Sequence, residues 1–212
     1  MNSLIVPIRR YCHARGIDLS TFVDDSFNAA LSRIKGLASL KFIKFVFEST
    51  GWTLNLSKCC GPVTSLCYLG FNLDSISMRI SAPMMKIIIL TNDINAAISK
   101  AEKVGSIHAK ELAHILGVCC HLLHSHGSIM RVVTRACQQT LGSTVQEKGW
   151  SGSLALSDRM LQEFEMLKIY LVRCVHSSFL PLWNASRCKI FQGRKNTIES
   201  YIFCYDAVRL HF

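Results

Sequence analysis

Ile17, Leu19, Thr21 and Val23 alternate with Asp18, Ser20, Phe22 and Asp24. A period of two predicts a strand, and apolar character on both faces predicts a buried one. Asp24-Asp25 falls at its end. Ser26 to Leu31 is read as the returning strand of a hairpin, although Asp-Asp is not a favoured two-residue turn. From Gly36 to Thr50 the spacing becomes helical, with Leu40, Ile43 and Phe47 on one face and Gly51 at the stop. Thr53–Leu56 and Leu66–Phe71 read as two short extended pieces separated by a Gly61-Pro62 turn, and Met78–Ile80 as a further strand.

Ser81-Ala82-Pro83 signals a helix start. Ile87, Leu90, Ile94, Ile98 and Ala101 follow at spacings of three and four. A second helix opens near Ser106 and carries Leu112, Ile115, Leu116 and Cys119. A third covers Ser128 to Leu141. After the Gly149–Gly152 stretch, Ser157 caps a fourth through Leu161, Phe164, Lys168 and Leu171. Tyr201–Tyr205 reads as a strand running into Asp206. Strands with a helix first, helices next and a strand last give an α+β chain.

Composition narrows the class. Half of the 212 residues are hydrophobic and 18% are charged, which excludes disorder of the charged, apolar-poor kind. Lys and Arg exceed Asp and Glu by 24 to 14, a net charge of +10 that favours a polyanionic partner such as nucleic acid. The ten cysteines contain no C-x-x-C, so reduced thiols in an intracellular protein are the expectation. The longest uncharged run, between Glu111 and Arg131, contains four histidines, so no membrane span is expected.

Phe22-Val23-Asp24-Asp25 is the most chemically pointed stretch. Two carboxylates at a strand end can hold a divalent cation through hard oxygen ligands. A two-metal phosphoryl-transfer site needs at least one more carboxylate. Asp18 has the right parity but lies about 20 Å away at strand rise, too far to join. On the tetrapeptide alone, a solvated Asp-Asp turn is the simpler reading. Cys119-Cys120-His121, His124 and His126, with His114 upstream, could bind zinc. The same spacing also describes a polar helix end, with the cysteines as small buried residues.

Four blocks in order resemble a reverse transcriptase, and specifically that of DIRS-type (tyrosine-recombinase) retrotransposons. Arg15–Ser26 resembles the palm strand with its [FY]-x-D-D box. Gly51-Trp52-Thr53-Leu54-Asn55-Leu56-Ser57-Lys58 is similar to the family's G-W-x-x-N-x-x-K block. Tyr68–Ser75 with Met78 resembles the L-G-F primer-grip segment and its D-S-x-x-M extension. Ala109–Gly117 is similar to the R-E-L-A-x-L-L-G thumb helix. The resemblance covers roughly residues 8 to 206.

The resemblance implies a partial polymerase palm of antiparallel strands plus helix over residues 1–80. It implies a helical thumb over 81–148, then a connection and the truncated start of an RNase H-like domain over 149–212. Asp24 and Asp25 would be catalytic and would hold Mg²⁺. Phe22 would lie near the primer end. Lys58 would protonate departing pyrophosphate, the alternative being a surface lysine. Leu69, Gly70 and Phe71 would present the primer strand, the alternative being an ordinary core hairpin. Lys86, Lys100, Lys103, Lys110, Arg131 and Arg135 are available for duplex backbone contacts. The partners would be template–primer nucleic acid and a deoxynucleoside triphosphate.

The family's further catalytic aspartate belongs to an earlier palm strand, whereas 23 residues precede Asp24 here. Asp206 resembles a first RNase H carboxylate with no site to belong to. The expectation is therefore a reverse transcriptase fragment, inactive alone, or else a non-catalytic duplex-binding module. A palm sheet lacking a strand also predicts an exposed edge and aggregation.

Overall fold

The computed structural model describes residues 2–173, 176–178 and 201–210. The elements run α1 (Asn2–His13), β1 (Leu19–Phe22), β2 (Asp25–Ala30), α2 (Arg33–Ser49), β3 (Trp52–Leu54), β4 (Ser65–Tyr68), β5 (Phe71–Asp74) and β6 (Arg79–Ser81). There follow α3 (Met84–Val104), β7 (Ile107–His108), α4 (Ala109–His126), α5 (Ile129–Val132), α6 (Arg135–Lys148), β8 (Ser153–Leu154), α7 (Asp158–Arg173), β9 (His176–Ser178) and β10 (Tyr201–Leu210). Helix and strand are mixed, as the α+β reading expects. The chain divides into two compact units, Met1–Arg79 with Phe179–Phe212, and Ile80–Ser178. Residues 149–178, placed by sequence in a connection, group with the helices, and the remainder groups with the first unit.

In the first unit, four strands form a sheet in the order β1-β2-β10-β3. The hairpin β1–β2 pairs Leu19 with Asn28 through Phe22 with Asp25. β10 runs antiparallel to both β2 and β3. The chain's own residues 201–210 lie in the interior of this sheet, and β1 and β3 are its edges among the described residues. Local patterning predicts this segment as a strand but carries no information on its partners.

The core of this unit joins α1 and α2 to one sheet face. Ile5, Ile8 and Cys12 from α1 meet Ile43, Val46 and Phe47 from α2, with Leu19, Trp52 and Leu54 beneath. Trp52 stands edge-on to Phe47, ring centroids 6.0 Å apart. The sequence reading places no element over α1, because Pro7 lies inside it and no acidic residue marks its first turn. Its apolar spacing, five to eight to twelve, is nonetheless helical. It ends in a Schellman motif, where Ile17 N–H donates to Cys12 C=O and Gly16 N–H to His13 C=O. Gly16 takes φ +74° there, which a side chain at that position would resist. α2 starts three residues earlier than expected, because Ser32 accepts a hydrogen bond from Lys35 N–H and caps it.

The second unit is helical. α3 packs on α4, α4 on α6, α6 on α7, and α7 back on α3, closing a ring of four helices. Leu90, Ile94, Leu112, Ile115, Leu122, Phe164, Leu167 and Leu171 are buried within it. β7 and β8 pair Ile107 with Leu154, closing one end. The helix expected over Ser128–Leu141 is a correction. It is two helices, α5 and α6, and the second runs on to Lys148. The run Val132-Val133-Thr134 is β-branched throughout, with low helix propensity. Thr134 then turns its hydroxyl back to Met130 C=O at 2.7 Å.

The start of α6 is capped from a distance. Glu163 on α7 accepts from Ala136 N–H at 2.7 Å and Cys137 N–H at 3.0 Å. A carboxylate there satisfies two first-turn donors and meets the positive end of the helix dipole. Burial, with Glu163 alongside, pushes the Cys137 thiol up, and burial pushes Cys119 up to about 12.

Candidate functional site

The β1–β2 hairpin turns on Val23-Asp24, with Phe22 and Asp25 as the closing pair. Val23 has φ +57° and Asp24 does not lie in that region, the pattern of a type II′ turn. Glycine normally takes that first position. For β-branched Val23 the conformation is a steric outlier, of the kind that costs roughly 1–3 kcal/mol and clusters at functional turns. Val23 is also exposed, so burial offers little compensation.

Pairing parity sorts the side chains. Leu19 and its partner Asn28 are buried on the helix side. Asp25 and its partner Phe22 stand on the other side, with Phe27 two residues along β2. Asp24 is exposed in the turn, Phe22 is exposed and Asp25 is half-buried. The sequence-predicted Phe22, Asp24 and Asp25 therefore gather at one hairpin end. Asp24 belongs to the turn and Asp25 to β2, so the two carboxylates are carried by different parts of the hairpin.

The Leu69-Gly70 segment makes a second tight turn. β4 and β5 pair from Ser65 with Asp74 to Tyr68 with Phe71. Leu69 at φ +49° and Gly70 at φ +76° are both positive, as a type I′ turn demands. The extended piece expected over Leu66–Phe71 is corrected to a hairpin on this account. Leu69 and Gly70 form its tip, while Phe71 is a core residue at 5% exposure. The hairpin meets the sheet through Tyr68, whose ring lies 5.2 Å from that of Phe27. It thus docks on the sheet face that carries Asp25 and Phe22. At its far end Asp74 accepts from Ile76 and Ser77 N–H, and the hydrogen bond from Ser77 leads the causes that hold its carboxyl below the ordinary range.

Lys58 is exposed in the turn after β3, its N–H donating to Asn55 C=O. Asp206 takes a position that sequence reasoning gave it no reason to have: in the β10 register its Cα stands opposite that of Asp25. No local signal in the sequence announces this juxtaposition.

Mg²⁺ prefers hard oxygen ligands in near-octahedral array. Asp24 and Asp25 have that chemistry, but two adjacent residues at one turn are fewer than a two-ion site requires. Among the described residues, no group of three or more His, Cys, Asp or Glu side chains is placed to hold a metal. Asp24 and Asp25 by themselves do not make a two-ion centre. Of the histidine and cysteine stretch on α4, Cys119 is buried while Cys120 and His124 are exposed. His126 is buried at its C-terminal end. The Ser125 hydroxyl lies 2.8 Å from His126 Nδ1, and Nε2 has no hydrogen-bond partner among the described residues. Burial lowers its pKa.

Of the basic residues proposed for duplex contacts, Lys100 is committed elsewhere. Its ammonium lies 2.6 Å from Glu111, and that hydrogen bond is the leading cause of the lowered Glu111 pKa. Lys103, Lys110, Arg131 and Arg135 are exposed. No helix among the described residues is long and apolar enough to cross a membrane. No family model matches the chain, and neither the curated proteins nor the solved structures contain a match to it.

Proposed function

We propose that the chain is a reverse-transcriptase-like segment that grips primer–template duplex, its first unit serving as the distal palm and its second as the thumb. The observation that carries this reading is the docking of the Leu69-Gly70 hairpin, through Tyr68 on Phe27, onto the sheet face bearing Phe22 and Asp25. An exposed aromatic, a strained acidic turn and a second tight turn share one face, where a strand end could be held between them. The net charge of +10 suits a phosphate backbone. Nucleotidyl transfer, the reaction the resemblance implies, needs a further acidic ligand beyond Asp24 and Asp25.

Fluorescence anisotropy with a labelled DNA–RNA hairpin duplex tests the reading. Binding is expected at low salt and should weaken as log Kd rises linearly with log salt. Tyr68→Ala, which removes the ring that packs on Phe27, should weaken it further. A chain that binds no duplex at low salt, or binds it with no salt dependence, overturns the proposal.

A further inference from the structure

The place between β2 and β3 is one that a strand has to fill. Both run antiparallel to β10, so they are parallel to each other with one strand's width between them. Adjacent strands lie about 4.8 Å apart, so an empty place would hold β2 and β3 about 10 Å from each other. β3 has no other strand partner among the described residues, and β2 would lose one of its two. Unpaired backbone groups in the middle of a sheet are costly, and a free edge is a template for any extended segment.

The segment that fills this place is not local. Between Leu54 and Tyr201 the chain passes through the whole unit Ile80–Ser178 and then residues 179–200. Those last 22 residues could span at most about 75 Å if fully extended. A strand supplied from so far along the chain is in effect a ligand of its own sheet. The pairing it makes, Tyr201 with Ala30 through Asp206 with Asp25 on one side, and Ala207 with Leu54 and Leu210 with Trp52 on the other, is satisfied equally by the same segment of a second molecule.

We propose that the β2–β3 gap is a strand-acceptor site shared between copies of this chain, in which the Tyr201–Leu210 segment of one molecule completes the sheet of another. The backbone bonds are the same within and between molecules, so only covalent connection separates the two states. A strand covalently joined to its own sheet competes at an effective concentration of roughly millimolar order. The self-completed form therefore dominates in dilute solution, and the exchanged form grows in proportion to concentration. The proposal stands apart from any nucleic-acid activity.

The register supplies the test. Phe27 and Cys204 are directly opposed Cα partners. Opposed residues in antiparallel strands have Cα separations of about 4.5–5.5 Å, within the range a disulfide spans. The full chain carrying F27C should close a disulfide to its own Cys204 under mild oxidation. A second form, carrying F27C with C204S, is mass-tagged, refolded with the wild-type chain at about 100 μM and oxidised, and the linked peptides are mapped by mass spectrometry. The expected product is a dimer joined between the introduced thiol and the wild-type chain's Cys204. Its yield should fall about tenfold when refolding is done tenfold more dilute. If F27C closes its own disulfide but no mixed dimer forms, the strand is never exchanged and the proposal is overturned. If F27C fails to close at all, β10 does not lie in this register and the proposal is overturned at its base. Because Phe27 packs on Tyr68, a second pair guards against a folding defect. A29C with I202C joins another opposed position and keeps Phe27, and it is read in the same way.

Discussion

Removing the Glu163 carboxylate should destabilise the helical unit by about 2–4 kcal/mol. The perturbation is Glu163→Ala. Two backbone donors lose their acceptor, Ala136 N–H and Cys137 N–H, and both residues are buried, at 7% and 0% exposure. A buried donor left unsatisfied costs roughly 1–3 kcal/mol. The favourable meeting of carboxylate and helix N-terminus adds about 0.3–1 kcal/mol more. For two donors these terms sum to roughly 2–7 kcal/mol, and water entering the space of the deleted side chain recovers part of it, which leaves about 2–4 kcal/mol. No substitute cap is at hand. Thr134, at the N-cap position, donates its hydroxyl to Met130 and accepts from Gln138. Glu163→Gln keeps one acceptor oxygen and loses the charge, so it should cost about half as much. Urea unfolding followed by circular dichroism reads the change, and amide exchange at Ala136 and Cys137 localises it. A Glu163→Ala variant shifted by less than about 0.5 kcal/mol, with those amides still protected, would refute the reasoning.

Gly152→Ala should destabilise the same unit by about 1–3 kcal/mol, because a Cβ there would stand 2.7 Å from Lys148 Cβ; an unchanged melting temperature would count against the close approach. His126 has its folded pKa lowered by burial, so its contribution is complete above the unfolded value of about 6.5 and is lost as pH falls through the folded pKa. Melts across that window should slope downward toward acid, and His126→Gln should flatten the slope. Cys60, Cys67 and Cys120 should react with a maleimide in the native chain, whereas Cys12, Cys119 and Cys137 should wait for unfolding. Prompt labelling of Cys137 would contradict its burial.

What was legible in the sequence was local. The alternation at 17–24 announced β1, the three-and-four spacing from Ile87 announced α3, and Ser157 announced the start of α7, where its hydroxyl does accept from Met160 N–H. The acidic turn was found because its chemistry is compressed into four residues. The break between α5 and α6 is hard to read locally, since propensity is weak at any one residue and Val132, Val133 and Thr134 act only as a run. Two features were out of reach. Glu163 caps a helix 26 and 27 residues upstream, and β10 pairs with strands some 150 and 180 positions earlier. Periodicity reports which face a residue occupies, not what that face meets.

The insertion of one compact unit within the other has a consequence for synthesis. On the ribosome, β1, β2, α2 and β3 emerge first, and the strand that joins β2 to β3 emerges about 150 residues later. At roughly 5–20 residues per second, that interval is on the order of 10–30 s. The helical unit has emerged in full within this time. The sheet has not, and helix and strand edges wait partly assembled for their last member. Folding order is then the reverse of chain order for the first unit: it begins first and finishes last. The slow step of maturation should accordingly be closure of the sheet, long after the helices have acquired their protection from solvent.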